Sequence, residues 1–395
     1  TDLLAHCRKA EAIKLLRIAP VTILPKSKKI PIAESVAMGL SSVGYIPPYT
    51  GLHEIILQET NLPVVMTSAN ISGEPIVYDE AIIVKKFSKN VDFILSHNRE
   101  IINSIDDSVM KIEENDSIII RPGRGAYPFV KNISRQFTST VLGSGSDQKS
   151  TFGFGKDNYA FISPYSGDLE NPDTFKEYIC RLKKIEKFQS LKDGLIVSDL
   201  HPEYFSAKLG KELAQKLNCK KVLVQHHHAH IASCMEQNNL DEPVIGIALD
   251  GTGYGTDGSV WGGEVIIADF RNFLRAGGIQ KYPIFGGDIA IKEPYRLGIS
   301  ILSNYGVSHK KIFEFYKDIV EENKVSDLLA LQKFSRNFIM SSSCGRLFDA
   351  ASSILNVSQY NSYDAESAIL LEEQASQWKD SKLTVEKLYE ISIDK

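Results

Sequence analysis

The chain has 395 residues with a net charge of −4, 43% hydrophobic and 24% charged residues. At roughly 150 residues per domain that is room for two or three domains with substantial cores. The mildly acidic balance gives no global pull toward nucleic acid or an anionic membrane, and no apolar run approaches the roughly 20 residues needed to span a bilayer. Cys7, Cys180, Cys219, Cys234 and Cys344 are odd in number, scattered and never spaced C-x-x-C. That pattern speaks against a disulfide framework or a cysteine zinc site and for a reducing, cytoplasmic setting. The start at Thr1 has neither an initiating Met nor a signal-peptide profile.

Two regions are expected, about 1–135 and 140–395. In the first, helical patterns at Glu11–Ile18, Leu52–Glu59 and Asp79–Phe87 alternate with β-rich runs at Val21–Leu24, Leu62–Thr67, Phe93–Leu95 and Ile118–Arg121. This alternation predicts an α/β sandwich. Asn132–Ser139 is polar and aperiodic, and is expected to be a linker. Beyond it come strand-like Thr140–Leu142, Ser144–Ser150 and Ala160–Ser163, a helix over Asp173–Ser190, and a strand at Leu195–Asp199. A helix near Tyr204–Leu217, a strand at Val222–Val224 and a helix through Ile231–Asn238 follow. Then come an apolar strand at Val244–Leu249, a glycine-rich turn, and a second strand at Gly263–Ala268. From Glu293 the pattern is mostly helical.

Four of the nine histidines fall in Gln225-His226-His227-His228-Ala229-His230, directly after a strand. His226 and His230 are one helical turn apart, so both imidazoles project from one face, about 5–6 Å between Cβ atoms. That spacing suits two nitrogens on one divalent ion, with a polar histidine cluster as the alternative. A carboxylate should complete the set, and an imidazole pair plus carboxylate fits Zn²⁺ or Fe²⁺. Asp250, at the tip of the apolar strand, is placed to hold a metal or to position Mg²⁺ on phosphates. The run Asp250-Gly251-Thr252-Gly253-Tyr254-Gly255-Thr256-Asp257-Gly258 can bring backbone N–H groups close to an anion, though a plain hairpin would also explain it. Gly286-Gly287-Asp288 is a second flexible acidic loop and a candidate nucleotide contact. In the first region Thr67, Ser68 and Asn70 offer hydroxyl and amide groups to a small ligand. Arg121 and Arg124 in Arg121-Pro122-Gly123-Arg124-Gly125 offer guanidiniums to an anion. Asp106-Asp107-Ser108 adds paired acids.

With Pro47-Pro48-Tyr49-Thr50-Gly51-Leu52-His53, the runs Thr67–Ile76, Asp106–Val109 and Arg121–Tyr127 resemble the YrdC-like domain, which makes acyl-adenylates from ATP. Ser166-Gly167-Asp168-Leu169-Glu170, Asp199-Leu200-His201-Pro202, the histidine run, Trp261-Gly262-Gly263-Glu264, Glu293-Pro294-Tyr295-Arg296 and Gly345–Ala350 are similar to actin-like carbamoyl transferases. Both domains in this order resemble the carbamoyltransferase HypF family of nickel–iron hydrogenase maturation. The resemblance implies an α/β fold, with a YrdC-like sandwich followed by an actin-like (ASKHA, ribonuclease H-like) transferase domain, both incomplete. It implies ATP with Mg²⁺ and carbamoyl phosphate or carbamate as substrates, a carbamoyl-adenylate intermediate, and no nucleic-acid or membrane partner. The acceptor it implies is the C-terminal cysteine of a HypE-like hydrogenase maturation protein, for synthesis of cyanide ligands. Carried over, Ser68 and Asn70 would bind nucleotide, Arg121 its phosphates or the carbamoyl end, and His226, His230 and Asp250 the metal. The family's acylphosphatase domain, preceding C-x-x-C pairs and late Asn-Asp-Gly-Gly are not in the sequence, so a fragment is expected. Threonylcarbamoyladenosine-type or O-carbamoyl transfer, or a nucleotide-binding scaffold, are the alternatives.

Overall fold

In the computed structural model the described residues are 20–26, 32–71, 73–113, 116–186, 191–334 and 339–379. The expected helix Glu11–Ile18, the residues Cys7 and Ser72, and the end of the helix expected to reach Ser190 lie outside them. The chain forms two compact units, Thr1–Asp241 and Glu242–Lys395. That division falls inside the second of the two regions expected from the sequence.

Among the described residues the first unit holds two four-stranded sheets. One has the order β2-β1-β3-β4, from β1 (Val21–Pro25), β2 (Ser42–Tyr45), β3 (Val109–Glu113) and β4 (Asp116–Arg121). β1 is antiparallel to β2 and parallel to β3, and β3 is antiparallel to β4. Helices α1 (Gly51–Thr60) and α2 (Glu80–Phe87) start where Thr50 and Asp79 accept hydrogen bonds from the amides of His53 and Ile82, satisfying groups the helix cannot pair itself. The strands expected at Leu62–Thr67 and Phe93–Leu95 do not form, and Val65 and Phe93 are 76% and 93% exposed. β-Propensity needs a ladder partner, and neither run has one among the described residues.

The second sheet has the order β6-β5-β7-β8, with β5 (Phe129–Gly143), β6 (Gly153–Ile162), β7 (Leu195–Asp199) and β8 (Lys220–Val224). The linker expected at Asn132–Ser139 is instead the middle of β5. Its ladder to β6 passes through Asn132↔Tyr159, Phe137↔Asp157 and Val141↔Gly155, with register shifts between them. Those irregularities hide the period of two. The Phe137 ring packs against Gly155, where a Cβ would come within 2.4 Å of it. Ser144–Ser150, expected to be strand-like, is a loop that turns through left-handed Gly145 and Lys149. Helices α3 (Pro172–Glu186) and α4 (Phe205–Leu217) cover this sheet's core of Leu142, Phe152, Phe154, Tyr178, Leu182 and Ile196. The 12-residue α5 (His226–Gln237) follows β8 and has the histidine run as its first turn.

In the second unit β10 (Val260–Ala268) lies between β9 (Val244–Tyr254) and β11 (Phe273–Gly278), and continues through β13 (Ile339–Ser341) to β12 (Tyr282–Ile284). The glycine run expected to turn does so only in its second half. Asp250–Tyr254 stays in the strand, and the hairpin turns at Gly255–Ser259, where Asp257 Oδ1 accepts from Ser259 N and Trp261 Nε1. The remaining helices are α6 (Ile289–Lys292), α7 (Tyr295–Asn304), α8 (His309–Tyr316), α9 (Glu322–Phe334), α10 (Cys344–Ile354) and α11 (Glu366–Lys379). They build cores around Tyr295, Ile299, Ile312 and Tyr316, and around Tyr282, Leu297 and Ala350. Among the described residues no helix is long and apolar enough to cross a membrane.

Candidate functional site

The histidine run is organised by its first residue. Gln225 caps α5: its Oε1 accepts from His228 N at 2.9 Å, while its Nε2 lies 3.2 Å from His227 Nδ1. His227 and His228 are thereby turned inward and buried, at 0% and 8% exposure. His226 and His230 take the other face, with Nε2 atoms 3.2 Å apart. Across the parallel β7–β8 ladder Asp199 pairs with Val224, and Asp199 Oδ2 lies 2.7 Å from His226 Nδ1. The imidazole pair opens on a cavity of about 320 Å³ lined also by Gly143, Gly145, Ser146 and Asp199. Its glycine wall is held by buried Asp147, whose carboxylate accepts from the amides of Phe205 (2.7 Å) and Ser206 (2.9 Å) at the start of α4. A carboxylate on a helix N-terminus also meets the positive end of the helix dipole.

The two imidazoles fit a divalent cation. Zinc–nitrogen bonds of 2.0–2.1 Å at a tetrahedral angle place the nitrogens roughly 3.3 Å apart, close to the separation found here. The first unit thus brings the His226 and His230 rings together.

The other sequence candidates of that unit fall in two places. Ser68 and Asn70 bond within their own loop: Ser68 Oγ donates to Asn70 Oδ1, and Asn70 Nδ2 donates to the carbonyls of Glu74 (3.0 Å) and Ile71 (3.2 Å). Thr67 precedes them, exposed. Asp106–Ser108 and Arg121–Arg124 come together. Arg121 donates through Nε and Nη2 to the Asp107 carbonyl at 3.2 and 3.1 Å. Arg124 Nε meets Asp107 Oδ1 at 2.7 Å, and its guanidinium lies over the Tyr49 ring at 3.4 Å. Gly123 is required, because a Cβ there would sit 2.2 Å from the Asp106 carbonyl oxygen. Burial pushes the Asp106 carboxyl above its usual range, against the pull of Arg121 and Arg181.

In the second unit Asp250 ends the apolar half of β9, and its Oδ1 accepts from Gly251 N at 2.6 Å. Gly251 lies against the start of α10, where Ser343 Oγ donates to the Gly251 carbonyl at 2.5 Å. A Cβ on Gly262 would reach the Asp250 carbonyl at 2.6 Å, so the glycines of β9–β10 permit close backbone approach. Gly253 pairs with Trp261. Gly286 and Gly287 adopt φ of 95° and 56° and lead through Asp288 into α6. Arg296 is beside Gly286, its guanidinium Nε held by Glu293 at 2.5 Å.

Asp199, Asp147 and Glu264 join these sites without belonging to any of the candidate clusters expected from the sequence. A single acid at the tip of Leu195–Asp199 was the available signal for the first. Buried Glu264 takes bonds from Arg275 Nε at 2.5 Å and from Ser342 Oγ, neither of which any local pattern connects to it.

A sandwich of the YrdC type followed by a two-part actin-like fold is the architecture these pieces define. Family profiles match in the same order: a Sua5/YrdC profile described as telomere recombination over residues 2–123, a HypF Kae1-like domain over 136–237, and a carbamoyltransferase Kae1-like domain, second subdomain, over 246–395. The chain is 33% identical over 384 residues to the probable carbamoyltransferase HypF of Methanocaldococcus jannaschii, covering 96% of this chain and 50% of that one. To the carbamoyltransferase HypF of Synechocystis it is 30% identical, covering 90% and 48%. The crystal structure of T.kodakarensis HypF superposes with a TM-score of 0.87 at 34% identity over 95% of this chain and 50% of that one. Full-length HypF in a phosphate- and nucleotide-bound form gives 0.83 at 35% identity, over 90% and 47%. The chain belongs to the HypF carbamoyltransferase family, and spans about half the length of these relatives.

Proposed function

We propose that the chain supplies adenylate formation and carbamoyl transfer to a hydrogenase-maturation enzyme working in the cytoplasm. Carbamate, from carbamoyl phosphate, attacks the α-phosphorus of Mg²⁺-bound ATP, and pyrophosphate leaves. The thiolate of a C-terminal cysteine on a HypE-like maturation protein then attacks the carbamoyl carbon. A C–S bond forms, the bond to the phosphate oxygen breaks, AMP departs and the thiol proton passes to solvent. The transferred group is the precursor of the cyanide ligands. Support for this reading comes from the relatives named above and from one of them having been captured with phosphate and nucleotide.

The roles follow the sequence candidates. Thr67, Ser68, Asn70 and Arg121 are assigned to the adenylating nucleotide, and Gly251, Gly253, Gly286, Gly287 and Asp288 to a nucleotide on the transferase side. His226 and His230 would hold Zn²⁺ or Fe²⁺, with Asp250 of the second unit as the carboxylate ligand. When bound, such an ion supplies Lewis acidity toward a carbonyl or phosphate oxygen. The observation that carries this assignment is the 3.2 Å convergence of the two Nε2 atoms at one end of a cavity.

The test supplies carbamoyl-adenylate, labelled in the carbamoyl carbon, to the 395-residue chain with Zn²⁺ or Fe²⁺ and a peptide ending in cysteine. Label on the cysteine with matching AMP, lost in H226A and H230A, is expected. Absence of transfer from the ready-made adenylate with either metal would overturn the reading.

A further inference from the structure

We propose that Asp199 is a positioning residue for the imidazole pair, setting the tautomer and tilt of His226 so that its Nε2 faces Nε2 of His230. This rests on the metal-site reading above. Asp199 is the last residue of β7, and its parallel partner Val224 stands two residues before His226, so the sheet delivers the carboxylate to the ring. The ladder is extended by Leu200 N donating to the Val224 carbonyl at 2.9 Å.

Both carboxylate oxygens are engaged. Oδ1 accepts from His201 N at 2.8 Å, and Oδ2 meets His226 Nδ1 at 2.7 Å. The turn that carries the first of these donors is itself braced. The His201 ring stacks on Tyr204 at 4.1 Å, and its Nδ1 accepts from Glu203 N at 3.2 Å.

An ionised carboxylate only accepts hydrogen bonds, so the ring proton of His226 stands on Nδ1 and Nε2 keeps its lone pair. The Asp199 side chain is 7% exposed, which leaves little water to compete for the ring. It lines the same cavity as both imidazoles. A buried acid held on two sides and aimed at the rear nitrogen of a histidine raises that ligand's basicity and fixes its ring plane; such partners are worth 10–100-fold in metal affinity.

Zn²⁺ alone, titrated against a competing chelator, is the probe, with the whole chain and its D199A, D199N, H226A and H230A variants. D199A should bind Zn²⁺ about 10–100-fold more weakly at unchanged stoichiometry. D199N should recover part of that loss, because an amide oxygen can accept from the same Nδ1–H. Side-chain ¹⁵N NMR of the metal-free wild-type chain should find the His226 proton on Nδ1. If the proton sits on Nε2, the proposal falls, whether or not any variant folds. Wild-type Zn²⁺ affinity in D199A and D199N would reduce Asp199 to a strap between β7 and α5. Wild-type affinity in H226A and H230A would instead sink the metal-site reading itself.

Discussion

The pair Glu264–Arg275 offers a stringent test of how the second unit is held together. Glu264 is 0% exposed, and its charge is met by Arg275 Nε at 2.5 Å. The Ser342 hydroxyl and two longer amide contacts, Gly262 N at 3.3 Å and Gly263 N at 3.5 Å, complete its surroundings. In R275A the anion keeps only these neutral donors. Breaking a buried ion pair costs about 3–5 kcal/mol, and a hydrogen bond to a charged group is worth about 1.5–3. The Arg275 side chain is 29% exposed, so water can reach the vacated space and the loss should lie near about 2–3 kcal/mol. For a unit of this size that is a Tm decrease of about 5–10 °C. Thermal and urea unfolding of the whole chain, followed through Trp261 under the guanidinium, measures it. The double variant E264Q/R275A removes the stranded charge and should recover at least half the loss. R275A within about 0.5 kcal/mol of wild type would refute the reasoning. A double variant as unstable as R275A would show that the packing of Arg275 on Trp261 matters, and the charge does not.

Two further outcomes are expected. G123A forces a Cβ into the Asp106 carbonyl at 2.2 Å, against backbone that cannot swing aside. It should cost about 1–3 kcal/mol and weaken ATP binding in calorimetric titration, whereas G51A, at the start of α1 with nothing within 4 Å, should neither destabilise the fold nor weaken binding. The Glu293 carboxyl is raised by burial, but bonds from Tyr295 and Arg296 outweigh this and hold it below its ordinary value. A depressed carboxylate stabilises the fold above its unfolded pKa of about 4.3 and loses that contribution as pH falls through the folded value. Urea unfolding should therefore find E293Q less stable than wild type at pH 7, with the gap closing below about pH 4. A gap independent of pH would contradict the ion pair.

Elements whose signal is local were legible. Leu195–Asp199 is found with the expected bounds, and the helices at Gly51–Thr60 and Glu80–Phe87 begin at their Thr50 and Asp79 caps. Elements that need a distant partner were not. Leu62–Thr67 has the composition of a strand without a ladder. Asn132–Ser139 has the composition of a linker, yet pairs with β6, and the Phe137 ring packs against Gly155. Of the glycines after Asp250, Gly255 and Gly258 do lie in the turn, whereas Gly251 stays in β9 against the start of α10.

The same distinction governs the candidate site. A four-residue spacing on a helix dictates that His226 and His230 share a face, because 3.6 residues make a turn; that much belongs to the sequence alone. Which face turns inward was decided by Gln225, and the orientation of His226 by an acid 27 residues earlier that only the β7–β8 register brings into contact. Asp107 with Arg124, and Glu264 with Arg275, are likewise products of tertiary packing. A helix period is a property of neighbouring residues, whereas the partner of a buried charge depends on which strands lie side by side.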